Sequence, residues 1–152
     1  SYLKEYHSLE RFCKMKNKKK NKYRSINRST TRLRYHIVLT FNYGNNISSV
    51  IGEDSVKSLL DSAVGKCSGV KCHAIGVDGD QVHIIVSCPP YWSPSSVVGR
   101  IQQLSTHRAW DKYGKKLSMI YYGKKRMLWS DGYFCETIGN VREDKILDYV
   151  KN

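Results

Sequence analysis

The stretch Gly79-Asp80-Gln81-Val82-His83-Ile84-Ile85-Val86-Ser87-Cys88-Pro89-Pro90 limits how this chain can fold more than any other. Asp78-Gly79-Asp80 is a hairpin-turn signal. The run that follows is apolar and β-branched, and two prolines then stop it, because proline cannot donate to a ladder. The pattern predicts a strand over Gln81–Ser87, paired antiparallel with a second strand over Val70–Val77. Strand side chains alternate, so Gln81 and His83 leave the same face. An imidazole and an amide oxygen side by side on a rigid strand can share one divalent cation. The plainer alternative is a half-buried strand histidine beside an ordinary turn residue.

The remaining elements fall around this hairpin. Arg34–Asn42 is β-branched and aromatic and predicts the first core strand, broken by Gly44-Asn45-Asn46. Glu53–Lys66 carries Val56, Leu59, Leu60, Ala63 and Val64 at the spacing of an amphipathic helix. Ser93-Pro94-Ser95-Ser96 opens another helix, with Val97, Val98, Ile101, Leu104 and Trp110 as its buried stripe. Lys112–Arg126 is basic and tyrosine-containing and reads as an exposed loop or ribbon. Gly132–Ile138 predicts a fourth strand. Asn140 then caps a last helix with Ile146, Leu147 and Val150 along one side and Tyr149 near its end. The order β-α-β-β-α-β with a trailing helix gives an α+β class: a ferredoxin-like (RRM-like) antiparallel sheet with helices on one face and a C-terminal helix carrying the tyrosine.

Charge divides the 152 residues into two parts, a basic extension over 1–33 and a domain over 34–152. The net charge is +13. Residues 1–34 hold 12 Lys/Arg against 2 Asp/Glu, while residues 35–152 hold 14 against 11. The extension, centred on Lys14–Lys22, predicts a short helix followed by a basic linker, and its charge points to nucleic acid. In the domain, Arg100, Arg108, Lys112, Lys115, Lys116, Lys124, Lys125 and Arg126 are candidate phosphate contacts. Lys115-Lys116 and Lys124-Lys125-Arg126 are expected to flank a hairpin, with the intervening tyrosines stacking on unpaired bases. A solvated positive face is the alternative. The five cysteines are odd in number and scattered, and only Cys67-x4-Cys72-His73 clusters, without a second pair at zinc-site spacing. Buried structural thiols in a reducing cytoplasm are the expectation. No run approaches the ~20 apolar residues of a membrane span, and no secretory signal pattern is present.

Tyr149 reads two ways. On a terminal helix a tyrosine commonly packs with its hydroxyl in water. As a nucleophile it needs its proton removed, since a free phenol titrates near ~10, and a nearby divalent metal assists that.

Taken together, Tyr35-His36-Ile37-Val38, Asp80–Pro90, Leu128-Trp129-Ser130-Asp131-Gly132-Tyr133-Phe134, Thr137-Ile138-Gly139-Asn140-Val141 and Ile146-Leu147-Asp148-Tyr149-Val150-Lys151-Asn152 resemble the TnpA-type single-tyrosine HUH transposases of small insertion sequences. The likeness runs from about Leu33 to the end of the sequence. It implies a homodimer that cleaves and rejoins single-stranded DNA at transposon ends folded as hairpins, with a 5′-phosphotyrosine intermediate. By that resemblance Tyr149 matches the nucleophile and His83 the second histidine of the metal pair, with Mg²⁺ or Mn²⁺ as cofactor. The tyrosine helix of one subunit can complete the other subunit's site. A cytoplasmic protein, nucleoid-associated during transposition, is implied as well. Gln81 departs from the pattern, standing where the family carries histidine. The family also places a glutamine ligand four residues beyond the tyrosine, one position past Asn152. A homologue that binds DNA hairpins without cutting, or a non-catalytic RRM-like nucleic-acid-binding module, are the competing expectations.

Overall fold

A computed structural model of the protein describes residues 32–122, 125–139 and 150. Its centre is the β-hairpin foreseen from Gly79-Asp80. Strand β2 (Lys71–Asp78) and strand β3 (Gln81–Cys88) pair antiparallel, with Asp78 opposite Gln81 across a two-residue loop. Gly79 takes φ +60°, in the left-handed region where only glycine sits without strain, so the loop depends on it. Strand β1 (Leu33–Phe41) lies on the other side of β3, and β4 (Trp129–Thr137) outside β1. All neighbours are antiparallel and the order is β2-β3-β1-β4. This is the ferredoxin-like arrangement.

β3 is buried on both faces from Val82 to Cys88, which accounts for its largely apolar sequence, with His83 and Ser87 as its buried polar residues. One face carries Tyr35, Ile37, Leu39, Phe41, Val82, Ile84, Val86 and Cys88 into the main core. Three helices close that core: α1 (Ile47–Ile51), α2 (Glu53–Gly65) and α3 (Pro94–Ile120). α2 contributes Val56, Leu59, Leu60, Ala63 and Val64, the five residues its periodicity marked. α3 starts at Ser93, whose hydroxyl accepts from the Ser96 amide, with Pro94 in the first turn. Such a cap contributes about 1 kcal/mol. The short helix α1 was not foreseen from the sequence.

The expected loop over Lys112–Arg126 is a correction. α3 runs on to Ile120, with a kink at Tyr113 (φ −124°, ψ 24°). Leu117 and Tyr121 extend the buried stripe past the kink, at 0% and 2% exposure. Their burial outweighs the weak helix propensity of Gly114. Lys115 and Lys116 therefore stand on the last turns of a helix and do not flank a hairpin. Two indoles tie the helix to the return strand. Trp129 Nε1 donates to Ser105 Oγ (2.8 Å), and Trp110 Nε1 donates to the Met127 carbonyl (2.9 Å). Trp129 also stacks on Phe41, centroids 4.6 Å apart.

The opposite face of the sheet has a smaller cover. Ile85 and Ile138 are buried there, with Ala74 and Val150 packed against them. No helix among the described residues is long and apolar enough to cross a membrane. The expected N-terminal helix and linker, and the last helix apart from Val150, lie outside the described residues.

Candidate functional site

The face turned away from helices α1–α3 carries the polar groups. Alternation along β1 puts His36 there, between core-facing Tyr35 and Ile37, and alternation along β3 puts Gln81 and His83 there. The register pairs Val38 with His83 and His36 with Ile85, so the two histidines are diagonal neighbours on adjacent strands. They touch: His36 Nε2 lies 3.1 Å from His83 Nδ1. Their rings are inclined by 20° with centroids 5.4 Å apart, and Phe134 meets His36 edge-on at 6.2 Å. Both histidines are buried, at 0% and 2% exposure. Gln81, two residues from His83 on the same face, is exposed at the mouth of the hairpin.

Burial fixes the charge state of the pair. Desolvation lowers the His36 pKa to about 3, with His83 a second cause. Desolvation also lowers His83, and the Asp78 carboxylate across the hairpin works against it. Both rings are therefore neutral near pH 7, the form in which imidazole binds a metal. Glu136 stands opposite His36 on β4, and burial raises its pKa to about 8.

Val150 also meets this face. Gly76 on β2 pairs with His83, and a Cβ built on Gly76 would lie 2.5 Å from Val150 Cγ1 and 2.7 Å from the Val150 carbonyl oxygen. Backbone at Val150 thus lies directly on backbone at Gly76, next to His83. Tyr149 itself lies outside the described residues.

Among the residues expected to act, Gln81 and His83 are brought together on one face, as their spacing required. The basic set is elsewhere. Arg100, Arg108, Lys115 and Lys116 are exposed on α3, whose buried residues face the other side of the sheet. Arg100 donates to Gln103 Oε1 (2.9 Å). Lys125 and Arg126 are exposed just before β4, with Arg126 over the Trp110 ring at 5.9 Å. Lys124 lies outside the described residues. A groove of about 440 Å³ between α3 and the start of β4 is lined by Gln103, His107, Trp110, Arg126 and Trp129, among others. Sequence reasoning assigned no role to His36 or Glu136. The signal was available in part, because His36 alternates with core residues and so had to face away from them.

The donor set suits a hard divalent cation held loosely. One neutral imidazole and one amide oxygen leave most coordination positions to water and phosphate oxygens, the usual state of Mg²⁺. Among the described residues no three His, Cys, Asp or Glu side chains gather at metal-binding distance. Cys67 and Cys72 are free thiols that burial keeps protonated, Cys72 at about 11, and they make no metal centre with His73 among the described residues.

Known proteins match the chain at three levels. A family model described as "Transposase IS200 like" matches residues 29–152. The transposase for insertion sequence element IS200 of Salmonella typhimurium is 29% identical over 73 residues, which is 48% of this chain and 45% of that protein. The protein of the same description from Salmonella typhi matches to the same extent. The chain thus spans less than half the length of these curated relatives. Among solved structures, a candidate transposase from Deinococcus radiodurans R1 superposes with a TM-score of 0.62 at 21% identity, over 81% of this chain and 92% of that one. A REP-associated tyrosine transposase bound to a REP hairpin superposes with 0.53 at 15% identity, over 78% and 64%. At these identities the structures bear on the fold alone.

Proposed function

We propose, because the chain belongs to the IS200-like transposase family, that it cuts and rejoins single-stranded DNA at insertion-sequence ends through Tyr149. The observation that carries this reading is the packing of Val150 on Gly76, the β2 partner of His83. The chain neighbour of the tyrosine and the one buried candidate ligand thereby share a small patch of sheet. Tyr149 Oη attacks the scissile phosphorus, the bond from phosphorus to the 3′ oxygen breaks, and the phenolic proton leaves. The products are a 5′-phosphotyrosine and a strand ending in a 3′-hydroxyl, and reversal of the step rejoins DNA. His83 and Gln81 would hold Mg²⁺ or Mn²⁺, which when bound polarises the phosphate and offsets developing charge. His83 stays neutral for this because it is buried. Gln81 supplies a weaker oxygen donor from the exposed end of the same strand.

Lys115, Lys116, Arg100 and Arg108 on α3, with Lys124, Lys125 and Arg126 before β4, contact phosphates of a folded hairpin. The hairpin bound by the REP-associated structural neighbour supports that substrate shape. The active form is a homodimer in which either subunit's tyrosine segment completes a site. A second reading has one observation in its favour. Gln81 is exposed and stands in place of a histidine, so a protein that binds hairpins without cutting fits the same fold.

Single-stranded oligonucleotides covering the element ends, incubated with Mg²⁺ or Mn²⁺, decide between the two. Cutting yields a metal-dependent covalent protein–DNA band on a denaturing gel, lost in Tyr149→Phe with DNA affinity retained. Hairpin binding without any band selects the second reading, and an equal band from Tyr149→Phe removes Tyr149 from the chemistry.

A further inference from the structure

We infer that His36 is a positioning residue that fixes the tautomer of His83, so that His83 donates from Nδ1 and presents its Nε2 lone pair to a cation. The inference rests on the proposed metal role of His83. It starts from geometry. A 3.1 Å contact between His36 Nε2 and His83 Nδ1, with rings inclined by only 20° and centroids 5.4 Å apart, requires each nitrogen to point almost straight at the other ring. That is the in-line arrangement of an N–H···N hydrogen bond. Two imidazoles clasping one ion would turn their lone pairs toward a common point, drawing the centroids closer.

One nitrogen of the contact carries a proton and the other accepts it. A neutral imidazole has one N–H, so the choice decides what the far side of His83 offers. If His36 donates, the His83 proton sits on Nε2 and that nitrogen cannot bind metal. If His83 donates from Nδ1, Nε2 holds a lone pair. Free histidine in water favours the Nε2–H form, so the metal-competent tautomer needs an acceptor at Nδ1. Metal-binding histidines are held in this way by a second residue, and losing that residue weakens metal binding about 10–100-fold. Here the acceptor is another imidazole, presented by the neighbouring strand. Phe134 against its edge and burial at 0% exposure keep the ring in place.

The test reads the side-chain nitrogens of His83 by NMR in the metal-free protein, and then Mn²⁺ affinity by titration without DNA. Wild type is expected to show His83 protonated at Nδ1 and bare at Nε2. In His36→Leu, which keeps bulk and removes the acceptor, His83 reverts to the Nε2–H form and Mn²⁺ binding weakens about 10–100-fold. In His36→Gln an amide oxygen can accept from Nδ1, so tautomer and affinity stay within a few-fold of wild type. A wild-type His83 protonated at Nε2, or a His36→Leu protein with unchanged tautomer and affinity, overturns the inference. If His36→Leu fails to fold, the wild-type tautomer and the His36→Gln affinity decide it. The tautomer is read without DNA or cleavage. A protein with the assigned tautomer that forms no covalent adduct therefore counts against the proposed function and not against this assignment.

Discussion

Replacing Gly76 by alanine tests whether the C-terminal segment is docked where Tyr149 can act. The added Cβ would stand 2.5 Å from Val150 Cγ1, 2.7 Å from the Val150 carbonyl oxygen and 3.2 Å from its Cα. Carbon atoms rest comfortably at about 3.5–4.0 Å, so the overlap is about 1 Å and involves backbone, which cannot turn away as a rotamer can. Either the sheet gives or the segment leaves. Overpacking a core costs about 1–3 kcal/mol. Gly76 lies in β2 without a positive φ, where alanine is tolerated and favoured over glycine by roughly 0.5–1 kcal/mol. What holds Val150 down is a small cluster of Ile85, Ile138 and Ala74, and Val150 is itself only partly buried. Full burial of a valine contributes at most about 1.5–3 kcal/mol, and this one contributes less. Release of the segment is therefore the cheaper response. If release relieves about 2 kcal/mol, the docked population falls roughly thirty-fold, and covalent adduct yield falls with it. Urea unfolding of the remaining domain should shift by less than about 1 kcal/mol. An adduct rate equal to wild type at unchanged stability would refute the reasoning, since the segment would then not need to sit on Gly76.

Three further outcomes are expected. Gln81→His should tighten Mn²⁺ binding and raise cleavage without loss of stability, because position 81 is exposed; no change in either would remove Gln81 from the ligand set. Lys115→Gln with Lys116→Gln should weaken hairpin binding and flatten the slope of log affinity against log salt by ~0.7–0.9 per lost phosphate contact, and an unchanged slope would make that helix end a solvated face. Stability should fall from pH 7 to 5 more steeply in Glu136→Gln than in wild type. The sign follows from the two lowered histidines and the raised carboxyl. His36, at about 3, takes up its proton in the unfolded chain first, so acid costs about 2 kcal/mol at pH 5, and the lowered His83 acts in the same direction. Glu136, at about 8, is protonated first in the folded chain, so acid stabilises through it, by less than the full shift implies because the carboxyl is only partly buried. A Glu136→Gln melting temperature that does not fall over this range would show that the histidines are not held neutral by burial.

The fold was legible because the hairpin and the two helical stripes were local patterns. Asp78-Gly79-Asp80 between two apolar runs allowed few other outcomes, and the largely apolar Val82–Cys88 run matches a central strand buried on both faces. The end of α3 was misread for a physical reason. Gly114 and the lysines at 115 and 116 carry a polar local signal, while Leu117 and Tyr121, which keep the segment helical, are sparse and depend on tertiary packing. The site was half legible. Spacing alone put Gln81 and His83 on one face. The partnership of His36 with His83 depends on the register between β1 and β3, and no local pattern encodes the pairing of residues 36 and 83.

The two-sidedness of the sheet bears on how DNA would be handled. The charges of α3 project from one side, while the buried His36 and His83 and the exposed Gln81 face the other, with the four-stranded sheet between them. A hairpin stem gripped by the helix can bring its cleavable strand to His83 only by passing around a sheet edge. At the β2 edge Val150 lies over Gly76, whereas the β4 edge exposes Tyr133 and Phe134 at 43% and 40% and is preceded by Lys125 and Arg126. Aromatic faces suit unpaired bases and the cations suit the backbone between them. Under the proposed function the strand therefore turns around β4, and Phe134, which also touches His36, stands where the unpaired segment meets the buried histidines.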